Sequence, residues 1–270
     1  MIIAQITDLH IKPPGRLAYR KVDTAAHLRR AVAHLNGLDP RPAVVLVTGD
    51  LVDGGTPAEY AELRALLAPL AMPFYLVPGN HDARDALRAG FPDHPWLAGD
   101  GGFIHYAVDD HPVRLIGLDT TEPGREGGIF CAARARWLDA TLAQSDKPTV
   151  LFMHHPPFAT GMGYHDADRM AGREALAAVL RRHRHVAWAV CGHVHRCIAV
   201  NWAGVPMTAM SSTAHQLRLN LTTSTDLMIA MEPPGCQLLA WTAEGMAAHV
   251  SPIGAFEGPY PIFENGILID

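Results

Sequence analysis

Cysteine is scarce in this sequence. The chain of 270 residues contains 4 cysteines, and no two of them form a C-x-x-C pair. This scarcity excludes a small disulfide-stabilised scaffold. We therefore expect buried free thiols, although the closeness of Cys191 and Cys197 along the chain leaves a bridge between them open.

An excess of basic residues is also absent. There are 22 Lys and Arg against 27 Asp and Glu, which gives a formal net charge of −5 at pH 7. This balance argues against a protein that binds extended nucleic acid through a broad basic surface. It does not exclude a small phosphorylated substrate, because a metal site can hold a phosphate without a basic patch.

Long apolar runs are missing too. No segment approaches the roughly 18 uninterrupted apolar residues of a membrane-spanning helix. Residues 1–5 lead directly into a strand-like segment and lack the basic and apolar regions of a signal peptide. We expect no membrane association and, by default, a cytoplasmic location.

The overall composition is that of a globular protein. Hydrophobic residues make up 49% of the chain and charged residues 18%, which excludes intrinsic disorder. The length lies near the upper size for one domain, and the sequence contains no internal repeat and no linker. We expect a single domain over residues 1–270, in which residues 253–270, rich in Gly, Pro and aromatic residues, form an irregular C-terminal arm.

The first 82 residues predict the order β-α-β-α-β. A helix begins at Asp23 or Thr24 with apolar residues at helical spacing, and Thr56-Pro57-Ala58-Glu59 is a capping box that begins a second helix. The predicted strands are residues 2–7, 43–48 and 73–77. Polar residues follow each strand, at the edge where open α/β sheets place their ligand sites.

The second half predicts shorter strands and two further helices. Residues 104–108 and 113–118 predict a hairpin, and residues 132–143 and 172–182 predict helices. The remaining predicted strands are 150–153, 186–191, 206–210, 226–231, 237–241 and 246–250.

Histidine is abundant, with 16 residues spread along the chain. Several of them belong to five short motifs that each follow a hydrophobic strand, and because strand ends in one sheet lie side by side, these motifs are expected to converge. They are Asp8-Leu9-His10, Gly49-Asp50, Gly79-Asn80-His81-Asp82, His154-His155 and Gly192-His193-Val194-His195.

The residue types in these motifs favour metal binding. Mixed imidazole and carboxylate ligands suit Zn, Fe, Mn or Co better than Mg or Ca. Seven side chains suffice for two metal ions if one carboxylate bridges them, and Asp50, after a tight glycine turn, is the expected bridge. In Asp8-x-His10 and His193-x-His195, an extended backbone would direct residues i and i+2 to the same side.

Each motif alone is weak evidence. A single Asp-x-His or Gly-Asp is more often a turn than a pair of ligands, and a single histidine is usually a core or surface residue. The conjunction of all five motifs at strand ends is specific, because buried carboxylates and imidazoles are costly there without a metal or a paired charge. Satisfied buried pairs are the competing explanation.

These residues make the sequence resemble the calcineurin-like binuclear metallophosphoesterases, whose pattern D-x-H, G-D, G-N-H-[DE], H, G-H-x-H is present in full. The resemblance covers the chain from Ile2 to about His215. It implies an α/β (α+β) sandwich, in which two mixed β-sheets pack face to face and are flanked by helices in four αββα layers.

The resemblance also implies roles for the motif residues. It implies that Asp50 bridges the two metal ions, and that His81 contacts the phosphate and assists proton transfer. The remaining implied ligands are Asp8, His10 and His195 for one ion and Asn80, His154 and His193 for the other.

The implied reaction is hydrolysis of a small phosphodiester by in-line attack of a hydroxide that the metals activate. The sequence is most similar to the branch of bacterial glycerophosphodiesterases and class III cyclic-nucleotide phosphodiesterases. The residues that carry this similarity are the N-terminal motif spacing, His154-His155-Pro156-Pro157 and Thr213-Ala214-His215. Asp53 stands where purple acid phosphatases place a tyrosine, so no phenolate ligand is expected.

Several roles stay open at this point. His215 either faces the substrate or is a loop histidine satisfied by the backbone, and His155 lies behind His154 or serves packing. Asp82 either orients His81 or stabilises the turn. Residues 159–170 form either a rim that sets substrate preference or an exposed connection.

Three other functions compete with a phosphodiesterase. A phosphomonoesterase or nucleotide pyrophosphatase would use the same site, a scaffold would keep the fold without catalysis, and a structural metalloprotein would close the coordination of its ions. A homo-oligomer is expected from the resemblance alone.

Overall fold

The computed structural model describes residues 1–98 and 102–269. Its helices are α1 (Thr24–Gly37), α2 (Pro57–Leu67), α3 (Arg84–Gly90), α4 (Ala132–Leu142), α5 (Gly163–Ala167) and α6 (Arg173–Arg182). Its strands are β1 (Ile2–Ile6), β2 (Val44–Thr48), β3 (Phe74–Val77), β4 (Tyr106–Val108), β5 (Arg114–Leu118), β6 (Thr149–Met153), β7 (Val186–Cys191), β8 (Ile198–Trp202), β9 (Val205–Ala209), β10 (Gln216–Leu217), β11 (Ile229–Ala230), β12 (Gly235–Thr242), β13 (Gly245–Pro252), β14 (Phe263–Glu264) and β15 (Ile267–Leu268).

The first sheet has the strand order β13-β12-β1-β2-β3. Strands β1, β2 and β3 are parallel, while β12 pairs antiparallel with β1 and with β13. The buried β-branched residues of β2 suit a central strand that is covered on both faces. The three parallel strands therefore end at the same edge of this sheet.

The second sheet has the strand order β4-β5-β6-β7-β9-β8. Strands β5, β6, β7 and β9 are parallel, and the antiparallel strands β4 and β8 lie at its edges. Both sheets are mixed, as the resemblance implies.

Alternating side chains of β6 show how the layers pack. Val150 and Phe152 belong to the apolar core that also contains residues of the first sheet, α1 and α2. Leu151 and Met153 point to the other side, into the core formed with α4 and α6. The order helices, sheet, sheet, helices confirms the four-layer αββα sandwich.

Local signals define where the first two helices begin. The Asp23 side chain accepts a hydrogen bond from the Ala26 backbone N–H at 2.9 Å, so Asp23 is the N-cap of α1. The predicted capping box of α2 is present, because Thr56 and Glu59 each accept the other's backbone N–H.

Some elements differ from the prediction. The sequence patterns do not predict strand β8 or helix α3, because β8 is half-exposed and α3 spans only two turns. The predicted strand 226–231 is reduced to β11, and the C-terminal arm contains the small hairpin β14–β15. Cys191 and Cys197 are both free, so the bridge that the sequence leaves open is not formed.

Within residues 1–98 and 102–269, no helix combines the length and apolar character needed to cross a lipid bilayer.

Candidate metal centre

The motif residues converge where the two sheets meet. Asp8, Asp50 and Asn80 follow the parallel strands β1, β2 and β3 of the first sheet, and His154 and His193 follow β6 and β7 of the second. Because parallel neighbours end at the same edge, the topology brings these loops together. The sandwich thus supplies donors from both sheets to one site.

One group of donors contains Asp8, His10, Asp50 and His195. The Nε2 atoms of His10 and His195 lie 3.2 Å apart. His195 Nε2 is 3.4 Å from Asp8 Oδ1, and His10 Nε2 is 3.6 Å from Asp50 Oδ2. All four side chains are buried, so this group is a dense set of nitrogen and oxygen donors.

The second group contains Asp50, Asn80, His154 and His193. His154 Nε2 lies 3.1 Å from Asn80 Oδ1 and 3.4 Å from Asp50 Oδ1. The His193 ring centroid is 5.1 Å from that of His154. Asp50 thus directs one carboxylate oxygen towards each group.

The backbone at these positions is unusual. φ is positive at five of the non-glycine motif residues, and such conformations cost energy and concentrate at functional sites. They are Asp8 (53°), His10 (45°), Asp50 (45°), His193 (71°) and His195 (47°). The expectation of extended D-x-H and H-x-H segments is therefore wrong: left-handed turns, not strand geometry, direct these side chains inward.

Hydrogen bonds hold the strained turns in place. The backbone N–H groups of Asp8 and His10 donate to the carbonyl oxygens of Gly49 and Asp50, at 3.1 and 2.9 Å. The backbone N–H of His193 donates to the Asp8 carboxylate at 3.0 Å. These bonds connect motifs from both sheets, so the fold as a whole fixes the local conformations.

Three imidazoles are oriented by the acceptors behind them. The Nδ1–H of His154 donates to the Thr48 carbonyl and that of His195 to the His215 carbonyl, both at 2.8 Å. His10 Nδ1 lies 3.1 Å from the Asp53 carboxylate. In each ring Nε2 therefore faces the centre, where the neutral Nδ1–H tautomer would present its lone pair to a metal.

Asp53 supports the donor groups of the site, although no sequence pattern indicates this role. Besides His10, its carboxylate forms an ion pair with Lys12. Burial raises the pKa of Asp53, but the hydrogen bonds from His10 and Lys12 outweigh burial and hold the pKa well below its usual range. Asp53 thus remains charged and orients His10.

The buried carboxylates of the site favour the binding of a cation. Burial raises the pKa of Asp8 to about 6 despite the opposing effect of His154. Burial opposes ionisation of Asp50 as well, yet His154 keeps the pKa of Asp50 well below its usual range. Because buried carboxylates need compensating charge, and because the donors are a mixture of imidazole, carboxylate and amide, the residues present fit divalent metal ions.

His81 borders the site and faces a cavity. Its backbone N–H donates to Asp50 Oδ1 at 3.0 Å, and its Nδ1–H donates to the Asp53 carbonyl at 2.8 Å. A cavity of about 590 Å³ opens beside His81 and Asn80. Since Nδ1 is engaged, Nε2 is the nitrogen left for a ligand.

Asp82 stabilises the turn instead of orienting His81. Its carboxylate accepts hydrogen bonds from the backbone N–H groups of Gly79 (2.8 Å) and Leu51 (3.0 Å) and from the Tyr60 hydroxyl (2.8 Å). Of the two roles that the sequence leaves open for Asp82, the structure supports the turn.

His155 is a packing residue. Its Nε2–H donates to the Glu126 carbonyl at 2.9 Å, and its Nδ1 accepts from the Thr120 hydroxyl at 2.8 Å. Although His155 lies close to His154 and His193, both of its nitrogens are engaged, so it has no free donor for a metal.

His215 is buried beside the first group. Its ring centroid lies 4.8 Å from that of His195 and 5.4 Å from that of His10. Neither of its ring nitrogens has a hydrogen-bond partner among the described residues. The reading in which the backbone satisfies this side chain is therefore wrong for the described residues.

Comparisons with known proteins agree with this geometry. A family profile described as calcineurin-like phosphoesterase matches residues 1–197. A probable glycerophosphodiester phosphodiesterase of Arcobacter nitrofigilis is 39% identical over 100% of both chains. A probable cyclic nucleotide phosphodiesterase of Rhodopseudomonas palustris is 36% identical over 90% of this chain and 89% of that protein.

Among solved structures, a dimetal phosphatase from Danio rerio has a TM-score of 0.64 at 17% identity and covers 94% of this chain and 99% of its own. That similarity supports the fold, and the family implies two divalent metal ions per chain. The match of the profile and the full-length similarity to the relatives establish that this chain belongs to the calcineurin-like phosphoesterase family.

Proposed function

We propose that this protein is a metal-dependent phosphodiesterase that hydrolyses small phosphodiesters. The observation that carries this proposal is the position of Asp50, whose two carboxylate oxygens face two separate groups of donors at 3.4 and 3.6 Å. One shared carboxylate between two sets of nitrogen and oxygen atoms suits a pair of ions that act on one phosphoryl group.

The proposed ligands follow from the two groups. Asp50 would be shared, and the donor types accommodate Fe, Zn, Mn or Co. When bound, such ions neutralise phosphate charge and lower the pKa of water. The other ligands would be Asp8, His10 and His195 for one ion and Asn80, His154 and His193 for the other.

His81 would act on the substrate directly. The Asp53 carbonyl fixes its Nδ1–H, so Nε2 is the nitrogen that faces a ligand. In the imidazolium form, its Nε2–H would donate to a phosphoryl oxygen and pass its proton to the departing alkoxide. Asn80, in the same cavity, would also contact the phosphate. His215, with both ring nitrogens unpartnered among the described residues, would bind the substrate from the side of His10 and His195.

The cavity beside His81 supports a small substrate. Among the described residues that line it, there is no Phe, Tyr or Trp that could stack on a nucleobase. This lining favours a glycerophosphodiester over a cyclic nucleotide. Similarity to relatives named for both substrates supports the shared chemistry, a phosphodiester with small alcohol substituents.

A metal and activity measurement tests the proposal. Purified protein should contain about two metal ions per chain and hydrolyse bis(p-nitrophenyl) phosphate. Chelation should abolish the activity and Mn²⁺ should restore it. An Asp50→Asn variant should lose metal and activity together, whereas His183→Ala, a change at the end of α6, should keep both.

Other outcomes would assign another function. Faster hydrolysis of p-nitrophenyl phosphate than of the diester would make the protein a monoesterase. Metal without hydrolysis of either ester would favour a scaffold. Absence of both metal and activity after reconstitution would refute the dimetal site.

We further propose that the protein forms a homo-oligomer through its C-terminal arm. The arm carries apolar side chains that face solvent in the single chain, and Ile267 is 72% exposed. Exposed apolar side chains concentrated in one segment are typical of an interface. The exposed residues of the arm include Phe256, Tyr260, Ile262, Phe263, Ile267, Leu268 and Ile269.

A further inference from the structure

His165, in the short helix α5, is a buried polar side chain without a local role. Its side chain is 7% exposed, and neither ring nitrogen has a hydrogen-bond partner among the described residues. Buried polar groups nearly always have partners, and an unpaired one costs about 1–3 kcal/mol. An unpartnered ring of this kind is a candidate to bind a ligand.

The segment around His165 is held firmly. The Asp166 carboxylate accepts the backbone N–H groups of Thr160 and Gly161 at 2.8 and 2.9 Å. Gly163 packs so closely on the backbone of residues 222–224 that an added Cβ would lie 2.6 Å from it. The position of the His165 ring is thus fixed by the fold.

His165 lines a cavity that borders the proposed metal site. The cavity has a volume of about 190 Å³, and its other lining residues include His193, Glu126, Tyr164 and Asp168. The ring centroids of His165 and His193 are 4.9 Å apart. A substituent of a phosphodiester bound at the metal site could therefore enter this cavity.

The charges around the cavity select against an anion. The carboxylates of Glu126 and Asp168 belong to its wall, and Arg125 forms an ion pair with Asp168. The Tyr164 hydroxyl donates to Glu126. A second phosphate group would meet excess negative charge here, so an anionic substituent is disfavoured.

The hydrogen-bonding groups of an uncharged imidazole indicate which kind of substituent the cavity fits. Such a ring has one N–H donor and one lone pair. A hydroxyl group both donates and accepts, so it can pair with either ring nitrogen in either tautomer. An ammonium group only donates and would match one tautomer alone.

We propose that His165 is a specificity-determining residue that binds a hydroxyl group on an alcohol substituent of the phosphodiester. This inference depends on the proposed function, since it identifies the substrate class of the same site. Substrates with a glyceryl substituent would gain a hydrogen bond that substrates with a plain alkyl substituent lack.

Two matched diesters test this inference. Glyceryl p-nitrophenyl phosphate and propyl p-nitrophenyl phosphate differ only in two hydroxyl groups, and both release nitrophenol. In the metal-loaded protein, kcat/KM should be about tenfold higher for the glyceryl ester, as one net hydrogen bond implies. His165→Ala should abolish this preference, so that the two esters are hydrolysed with similar kcat/KM.

Two variants serve as controls. His165→Gln retains a donor and an acceptor and should restore part of the preference, and His183→Ala should leave it unchanged. Inhibition of the unaltered protein provides a measurement that does not depend on a variant. Glycerol 3-phosphate should inhibit more strongly than propyl phosphate by a factor similar to the kinetic preference.

Three outcomes would overturn the inference. They are equal kcat/KM for the two esters in the unaltered protein, a preference that survives in His165→Ala, and an equal fall for both esters accompanied by loss of metal. The last result would mean that His165 only supports His193. Hydrolysis of neither ester by the metal-loaded protein would instead refute the proposed function itself.

Discussion

The imidazole rings of this site are each oriented by a hydrogen-bond acceptor that lies behind Nδ1. The carbonyl groups of Thr48 and His215 and the carboxylate of Asp53 each fix an imidazole Nδ1–H, so that three Nε2 atoms face inward. Such supporting contacts determine the tautomer and orientation of metal-binding histidines. His81 follows the same rule, with the Asp53 carbonyl behind it.

A His81→Ala substitution should lower kcat for bis(p-nitrophenyl) phosphate by about 100-fold or more, because general acid–base catalysis contributes that much. The metal content should stay unchanged, since the His81 ring belongs to neither donor group. Steady-state kinetics together with metal analysis would check this. Near-normal turnover would remove His81 from the reaction. An Asn80→Ala variant should instead lose metal together with turnover, since Asn80 belongs to the second donor group.

His105 makes stability dependent on pH. Burial lowers the pKa of His105 from 6.5 to about 4, so the unfolded chain binds this proton more readily than the folded chain does. The contribution of neutral His105 is complete above pH 6.5 and is lost as the pH falls towards 4.

A His105→Gln variant tests this dependence. Gln does not titrate, and its amide oxygen can accept the hydrogen bond that the Asp119 backbone N–H donates to His105. The free energy of unfolding, from urea denaturation between pH 7.5 and 5, should fall less in the variant than in the unaltered protein. Equal slopes in both proteins would exclude His105 as a source of acid sensitivity.

The residues of the two donor groups were predictable from the sequence, whereas the groups that orient their side chains were not. Asp8, Asp50, Asn80 and the motif histidines are marked by residue type and by their place after a strand. The Asp53 carboxylate and the Thr48 carbonyl act only through contacts between separate loops, which depend on tertiary structure. His165 belongs to the candidate rim of residues 159–170, but its burial beside His193 also depends on tertiary structure.

Secondary structure elements differ in how far their sequences specify them. Helices α1 and α2 and the central strands combine a clear period with caps or β-branched runs, so their order was predictable. Strand β8 alternates between half-exposed and exposed residues and depends on β9 for pairing, which no local pattern reports. The left-handed turns after β1, β2 and β7 are likewise fixed by contacts between loops.

The loop after β3 depends on a glycine. A Cβ at Gly79 would lie 2.2 Å from Asp50 Oδ1 and 2.3 Å from the Asp50 backbone nitrogen. Gly79→Ala should therefore displace Asp50 and lower both the metal content and the diesterase kcat/KM, the latter by at least about tenfold.

Gly37→Ala is the matched control, because a Cβ at Gly37, at the end of α1, meets no atom within 4 Å. This variant should keep its metal and activity. Full metal content in Gly79→Ala would show that the loop tolerates the extra atom and that Asp50 is less constrained than its contacts suggest.

The molecule as a whole joins two sheets around one site. The four-layer sandwich was predictable from the family resemblance, and the order of strands and helices agrees with it. The pairing of β12 with β1, which adds C-terminal strands to the N-terminal sheet, required the structure. The exposed arm is also a property of the complete chain.

Light scattering should give a mass that is a multiple of 29.2 kDa for the intact protein. The combined substitution Phe263→Asp and Ile267→Asp places charges on both strands of the exposed hairpin and should shift the mass to that of one chain. A single-chain mass for the unaltered protein would refute the proposed homo-oligomer.

The division of the donors between two sheets has a consequence for biosynthesis. The first donor group includes Asp8 and His195, which lie near opposite ends of the family match. A chain emerging from the ribosome cannot complete this group until residue 195 is available, and closing so long a loop carries an entropic cost. If this group holds an ion as proposed, that ion is a late cross-link between the two sheets, and its capture favours the folded state by mass action.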